Sequence, residues 1–263
     1  MILRRITDAF RKQDWFTVGI ETLIVVLGVF LGLQVNNWNA ARVEHKSEQV
    51  LLLRLQSETQ ALLETQKEEL AGQLPRREAL ISAHPVLFSL APARPLTDEE
   101  CRALAYSHWL PAPTDELPTL DEIISSGRFD LISSPAVKQA LRAYAVLQER
   151  SRSAQAEAVS ELFRLYSRHP EAIRIVLAPT EDPPDAGYFA SRAGKGYRWS
   201  ERCDIEKMRG SKQFLSEYFD NNTRLNLYLE RYEQRIAALT RLDADLAEEL
   251  GSPRPYDTQD GSP

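Results

Sequence analysis

The side chains that most often carry out chemistry are sparse in this chain, and none has the spacing of a catalytic or metal site. A nucleophile elbow requires a strand that leads into the serine, and no strand is predicted before the serine–glycine run at 125–127. The run at 192–196 holds a lysine between glycines but lacks phosphate-loop spacing. The four histidines are scattered, with no ligand-spaced pair: His45, His84, His108 and His169. We therefore predict a protein that is not an enzyme and uses no cofactor or metal.

The two cysteines, Cys101 and Cys203, are the remaining reactive groups. In an oxidising compartment such a pair favours a disulfide. Two free, buried thiols are the alternative. Two cysteines alone do not make a structural zinc site, and His108 is the only histidine near Cys101 in sequence.

One stripe of polar and small residues lies inside an otherwise apolar run. At about 100° per residue, Glu21 shares a helix face with two glycines that form a small-x-x-x-small pattern. An acidic side chain within a membrane usually faces a partner or water. We predict a helix-packing face formed by Glu21, Val25, Gly28, Gly32, Asn36 and Asn39. In the alternative, Glu21 reaches the lipid headgroups and the glycines are incidental.

The element that must carry this stripe is the run 16–35, which has Glu21 as its only charged residue. Twenty helical residues span about 30 Å, the thickness of a bilayer's hydrocarbon core. Trp15 and Trp38 flank the run, as interfacial aromatic residues do. We predict a transmembrane helix at 15–36.

Two other interpretations of this run are disfavoured. A cleaved signal peptide has a shorter apolar region and a small-x-small cleavage site, whereas an asparagine-rich segment, 36–39, follows here. A core helix of a soluble protein would be apolar on one face only, and this run is apolar on almost every face.

Basic residues set the predicted orientation. Four precede the run, whereas only Arg42 and Lys46 follow it closely; the four are Arg4, Arg5, Arg11 and Lys12. The positive-inside rule then keeps the N-terminus in the cytoplasm and exports the rest, which in a bacterium means the inner membrane and the periplasm. Residues 1–14 are expected to form an amphipathic helix on the inner leaflet.

Composition narrows the class of the exported part. The net charge of −6 argues against a nucleic-acid-binding protein, which needs a clustered basic face. Only 11 of the 263 residues are glycine, and the long periodic stretches lack it, so an α-helical protein is expected. We predict an all-α fold, in which the membrane helix continues as a stalk and later helices form an antiparallel bundle over 37–250.

Local signals predict where these helices begin and end. The stalk should reach about residue 70, and Pro75 should begin a second helix that Pro85 interrupts. Capping boxes at 97–100 and 119–122 should open two further helices, the second ending at Gly127. Ser134 and Pro135 should open a long helix that reaches about Ser167.

The C-terminal third is predicted to contain an irregular segment, a long helix and a disordered tail. Residues 171–200 are the least regular part, with 173–179 a candidate extended segment. From Ser211 to Leu250 a long helix is expected, with a regular apolar stripe formed by Phe214, Tyr218, Leu225, Leu229, Tyr232, Ile236, Leu239 and Leu246. The polar tail 251–263 should be disordered.

Two stretches resemble an uncharacterised family of bacterial single-pass membrane proteins, catalogued only as a domain of unknown function. One is GIETLIVVLGVFLGLQVNNWNAAR at 19–42, which is similar to the family's anchor. The other is LPTLDEIISSGRFDLISSPAVKQALRAYA at 117–145, which is similar to its ectodomain motif. The resemblance implies a location and an architecture but no activity, and 171–210 has no counterpart in it.

These observations lead to two functional hypotheses. The first is a membrane-anchored interaction or scaffold protein that presents a periplasmic helical domain. It would associate with itself or with another membrane protein through the transmembrane helix. The alternative is an accessory subunit of an ion-coupled or transport assembly, in which Glu21 titrates among a partner's helices. Neither hypothesis specifies a small-molecule ligand or a biological process.

Overall fold

A computed structural model describes residues 15–179 and 196–251, and this part of the chain is mostly helical. The predicted amphipathic segment 1–14 and the tail 252–263 lie outside the described residues. The elements are α1 (Trp15–Leu87), α2 (Asp98–Ala105), α3 (Pro118–Ser126), a 3-10 helix (Arg128–Leu131), α4 (Pro135–Ser160), α5 (Leu165–Arg168), β1 (Ile173–Pro179), β2 (Tyr197–Cys203), α6 (Ile205–Gly210) and α7 (Lys212–Glu249).

Helix α1 has 73 residues, about 110 Å, and it passes through Pro75 and Pro85 without a break. The prediction that the stalk ends near residue 70 and that Pro75 begins a second helix is therefore wrong. A proline inside a helix removes one hydrogen bond and costs about 3 kcal/mol. Around Pro85 the cost is offset by packing, because Ala83 and Leu87 are completely buried.

Helices α1 and α7 pack along each other in opposite chain directions. Three side-chain hydrogen bonds join them: Gln60 with Asp243, Glu69 with Tyr232, and His84 with Tyr218. Residue numbers in α7 therefore decrease as those in α1 increase, as expected for antiparallel helices. The predicted bounds and apolar stripe of α7 are confirmed. Every member of that stripe is buried except Ile236, which is partly buried.

The core consists of two hydrophobic clusters stacked along α1. The first cluster joins α1 leucines, beginning with Leu52 and Leu55, to α3, α4 and the C-terminal end of α7. The second joins Leu80 and Leu87 to α2, β1 and the N-terminal half of α7. Between them, Gln66 of α1 lies opposite Arg235 of α7. A polar layer therefore separates the two clusters.

Of the three remaining predicted helix starts, at Thr97, Thr119 and Ser134, two are confirmed. The capping box is present at Thr97 and Glu100, and Ser134 caps α4 through Val137 N–H. The prediction of a second capping box at 119–122 is wrong, because α3 begins at Pro118, with Leu117 as its N-cap residue. The Thr119 hydroxyl instead donates to a carboxylate of α1, Glu58, at 2.6 Å. A tertiary hydrogen bond has replaced the local one.

Of the predicted helix ends at Gly127 and Ser167, one is confirmed and one is wrong. Gly127 does take the left-handed conformation, with φ +68°. Helix α4, however, ends at Ser160, earlier than the predicted Ser167. The side chain of Asn221 accepts from Phe163 N–H at 2.9 Å and donates to Phe163 C=O at 2.7 Å. Both backbone groups are thereby used in contact with α7, so they are not available to continue α4.

A two-stranded antiparallel sheet pairs β1 with β2, from Ile173 opposite Cys203 to Pro179 opposite Tyr197. The candidate extended segment is thus a strand, but its partner was not predicted. The all-α prediction is corrected to a mostly helical chain with one small sheet. Cys203, at the end of β2, is joined by a disulfide to Cys101 of α2, with their Cα atoms 5.7 Å apart.

Candidate functional site

Within the part of the chain that the structure describes, α1 is the one helix long and apolar enough to cross a membrane, judged by length and composition. Its apolar window has a mean hydropathy of 1.4, and none of that window is buried. Every residue from 22 to 47 is exposed. No residue of this segment is buried or half-buried by the described part of the chain.

The predicted packing face lies on this exposed segment. A side-chain carbon added to Gly28 or Gly32 would meet no atom within 4 Å. Val25 is 64% exposed, and Asn36 and Asn39 are exposed as well. The side chain of Glu21 lies outside the described residues. All five described members of this predicted packing face are therefore exposed.

The folded domain begins one polar segment after the apolar run. Residues 36–47 are exposed, and Glu48 is the first buried residue of α1. Its carboxylate accepts from both the backbone N–H and the hydroxyl of Ser133, which ties α1 to the turn before α4. The intervening twelve residues correspond to about 18 Å of helix.

The polar layer is built around Arg235, which is 1% exposed. Its Nε donates to Gln66 Oε1 at 2.9 Å, and its guanidinium lies 4.4 Å from the centre of the Tyr232 ring. Gln66 in turn donates to Thr114 C=O, which fixes the chain between α2 and α3. Burial lowers the pKa of Arg235, whereas nearby Tyr232 and Tyr144 raise it.

Asp115 organises the other side of this layer. Its carboxylate accepts from Arg152 Nε at 3.1 Å and Nη2 at 2.7 Å. Its backbone C=O accepts from Tyr144 Oη at 2.9 Å and from Gln148 Nε2 at 2.6 Å. Three side chains of α4 and two groups of Asp115 therefore satisfy one another's hydrogen bonds, so this cluster is structural.

Glu217 forms a second buried ionic cluster near the far end of the domain. It accepts from Arg168, His169 and Gln213, with the shortest distance 2.7 Å to Arg168 Nη2. Burial raises the pKa of this carboxyl, but the hydrogen bonds from Arg168, Gln213 and His169 outweigh it and hold the pKa at about 2. Glu217 is thus ionised at neutral pH and serves as an anchor for α5.

Sequence reasoning missed Arg235 and Asn221, both of which lie in the apolar register of α7. Arg235 comes three residues after Tyr232 and four before Leu239, and Asn221 comes three after Tyr218. A charged or amide residue at such a position signals a buried polar contact. The predicted stripe of α7 contains apolar and tyrosine residues only, and it therefore omits both polar residues.

No three His, Cys, Asp or Glu side chains of the described residues are grouped so as to hold a metal ion. In comparisons with protein-family models, curated proteins and solved structures, no match to this chain was found. The resemblance of 19–42 and 117–145 to an uncharacterised family remains a prediction.

Proposed function

We propose that this protein is a non-enzymatic, membrane-anchored interaction or scaffold protein of the bacterial inner membrane. The observation that carries the proposal is the fully exposed apolar segment of α1, which continues without a break into the core of a folded domain. Lipid is the environment that such a segment requires.

The size of the exposed surface supports a membrane rather than water. Eleven large apolar side chains between Ile20 and Val35 are exposed. Complete burial of one such side chain is worth about 1.5–3 kcal/mol, and these are 40–64% exposed, so leaving them in water forgoes on the order of 10–20 kcal/mol. That equals or exceeds the whole stability of a typical domain, about 5–15 kcal/mol.

A signal sequence near the N-terminus can also be long and apolar enough to cross a membrane, but the continuity of α1 argues against cleavage. A signal peptidase needs an accessible, non-helical site soon after the apolar run. Here the helix runs on through the asparagine-rich segment to Glu48, where the core begins. The disulfide between Cys101 and Cys203 further supports an exported domain.

The domain itself is proposed to be an antiparallel helical bundle held at the end of a stalk. The opposed contacts between α1 and α7, and the packing of α4 on α7, support this architecture. Its task would be to present interaction surfaces at a fixed height above the membrane. Its partner would be a second copy or another membrane protein, recognised through the face around Gly28 and Gly32. The ion-coupled alternative depends on the side chain of Glu21 and remains a prediction.

Paired reporter fusions test this proposal on the full chain. Alkaline phosphatase fused after Gly251 should be active, and a fluorescent protein that matures only in the cytoplasm should stay dark. Replacing the four basic residues before the run with glutamine is the matched variant and should weaken this orientation. A bright fluorescent fusion, or a mature chain that starts near residue 40, would contradict the proposal.

A further inference from the structure

A cavity of about 210 Å³ lies between the C-terminal half of α4 and the middle of α7. The segment between α2 and α3 forms its third side through Leu110 and Pro113. This site is separate from the membrane face and does not depend on the orientation of the chain. Three of its lining residues carry a buried side-chain atom that has no hydrogen-bond partner among the described residues: Arg235 (Nη2), Ser151 (Oγ) and Arg224 (Nε). The first two are almost completely buried.

The first of these groups is Arg235. Gln66 occupies its Nε, but its Nη2 has no hydrogen-bond partner among the described residues. Asp115 is near enough to raise its pKa, yet both oxygens of that carboxylate accept from Arg152. A buried guanidinium without a paired anion is costly. An anion at Nη2 would remove that cost.

The second group is Ser151, which is 2% exposed and whose hydroxyl also lacks a partner among the described residues. Ser151 and Arg235 line the same cavity from α4 and α7. Buried polar atoms are nearly always hydrogen-bonded, and these two unpaired atoms belong to residues that line the same cavity, so a ligand there could supply the acceptor that both lack. A hydroxyl and a guanidinium N–H both donate to an oxyanion.

The other charges at the cavity also favour an anion. Arg224 and Arg231 line it as well, against a single carboxylate, Glu157. Arg224 is paired with Glu161, whereas Arg231 makes no ion pair within the described ranges, 15–179 and 196–251. The site therefore carries a net positive charge.

Several other lining residues are apolar, and they favour a ligand that has an apolar part. Leu110, Ala154 and Leu227 contribute side chains that offer no hydrogen bonds. The hydroxyl of Tyr228 is already used, donating to Pro111 C=O at 2.9 Å. A cavity of about 150 Å³ accepts benzene, so this one has room for a ring or a short chain with a charged head.

We propose that this cavity binds a small organic carboxylate. Its carboxylate accepts from Arg235 Nη2 and Ser151 Oγ, and its apolar body packs against Leu110, Ala154 and Leu227. Arg231, at the edge of the cavity, attracts the anion without holding it. The proposal extends the interaction protein to one that responds to, or carries, such a ligand.

Calorimetry on the full chain in zwitterionic nanodiscs tests the proposal, with benzoate and hexanoate as probes. Benzoate should bind saturably at one site and at least tenfold more tightly than neutral benzamide. Inorganic phosphate, which has no apolar body, should compete at least tenfold less well. Absence of saturable binding of either carboxylate below about 10 mM would overturn the proposal. Equal binding of benzamide would remove the role of Arg235, and equal competition by phosphate would remove that of the apolar walls.

Two variants locate the binding. Ala154→Leu fills the cavity without changing its charge, and it should weaken benzoate binding at least tenfold. Ala156→Leu, two positions away on the exposed face of α4, is the matched control and should bind as the wild type does. Arg235→Met should also lose binding; because it can alter folding, circular dichroism accompanies it. If Ala154→Leu folds and binds benzoate unchanged, the ligand lies elsewhere and the proposal fails.

Discussion

The disulfide between Cys101 and Cys203 closes a loop with a sequence separation of 102 residues. That loop includes α3, α4, α5 and β1, and so holds much of both hydrophobic clusters. In the chain-entropy description, a cross-link over about 100 residues lowers the free energy of folding by about 4–5 kcal/mol. It does so by restricting the unfolded chain, and strain in the native state reduces the amount.

Replacing both cysteines with alanine removes the cross-link with little change in the native contacts. Cys101 is 3% exposed, so alanine avoids placing a hydroxyl in the core. Helix α2 and β2 stay connected through the Arg102–Glu201 ion pair at 3.5 Å. We therefore expect a folded variant that is less stable by about 2–5 kcal/mol, which is a large part of a domain's total stability.

Urea unfolding of the full chain in nanodiscs measures this loss. The double variant should unfold at lower urea, with a larger dependence of the free energy on urea, since its unfolded state is less compact. Dithiothreitol should shift the wild type towards the variant and leave the variant unchanged. Two labelled thiols in denatured, unreduced protein, or equal midpoints for the two proteins, would refute the reasoning.

Three further perturbations follow from the geometry. Gly28→Ile should weaken self-association or partner capture more than Glu21→Gln, with Gly19→Ile as the control on the opposite face, and equal capture by all three would make the face incidental. Since hydrogen bonds depress the pKa of Glu217 to about 2, its stabilisation is present above the unfolded pKa near 4.5 and is lost as pH falls towards 2. Glu217→Gln should flatten that part of the stability–pH curve, and an unchanged curve would contradict the assignment. Thr97→Ala should cost about 0.5–2 kcal/mol in urea unfolding by removing the α2 cap, and no measurable loss would contradict it.

The accuracy of the sequence predictions follows the range of the interactions that decide each feature. The start of α7 at Ser211 and the end of α3 at Gly127 depend on bonds within a few residues, and both were predictable. The start of α3 was not, because the Thr119 hydroxyl bonds to Glu58, which lies 61 residues earlier. A capping motif states what a side chain can do locally, and a distant carboxylate can compete for it.

The same reasoning explains the missed features of the candidate sites. The apolar run and its glycines are visible in sequence because a candidate membrane span is recognised from length, composition and spacing alone. The cavity needs α4, α7 and the 110–113 segment in contact, and their separation along the chain hides it. Only Arg235, at an apolar position of α7, gave a sequence signal for it.

The continuity of α1 has a physical basis in its two ends. Residues 36–47 have neither lipid nor core to pack against, and an isolated helix of twelve residues is marginal in water. Nucleation is the unfavourable step, and here helix already exists on both sides, in the proposed membrane span and in the core from Glu48. Local bonds add to this, including Ser47 Oγ to Val43 C=O at 3.0 Å and Gln49 to His45 at 3.2 Å. The segment therefore extends as about 18 Å of helix between the proposed membrane span and the domain.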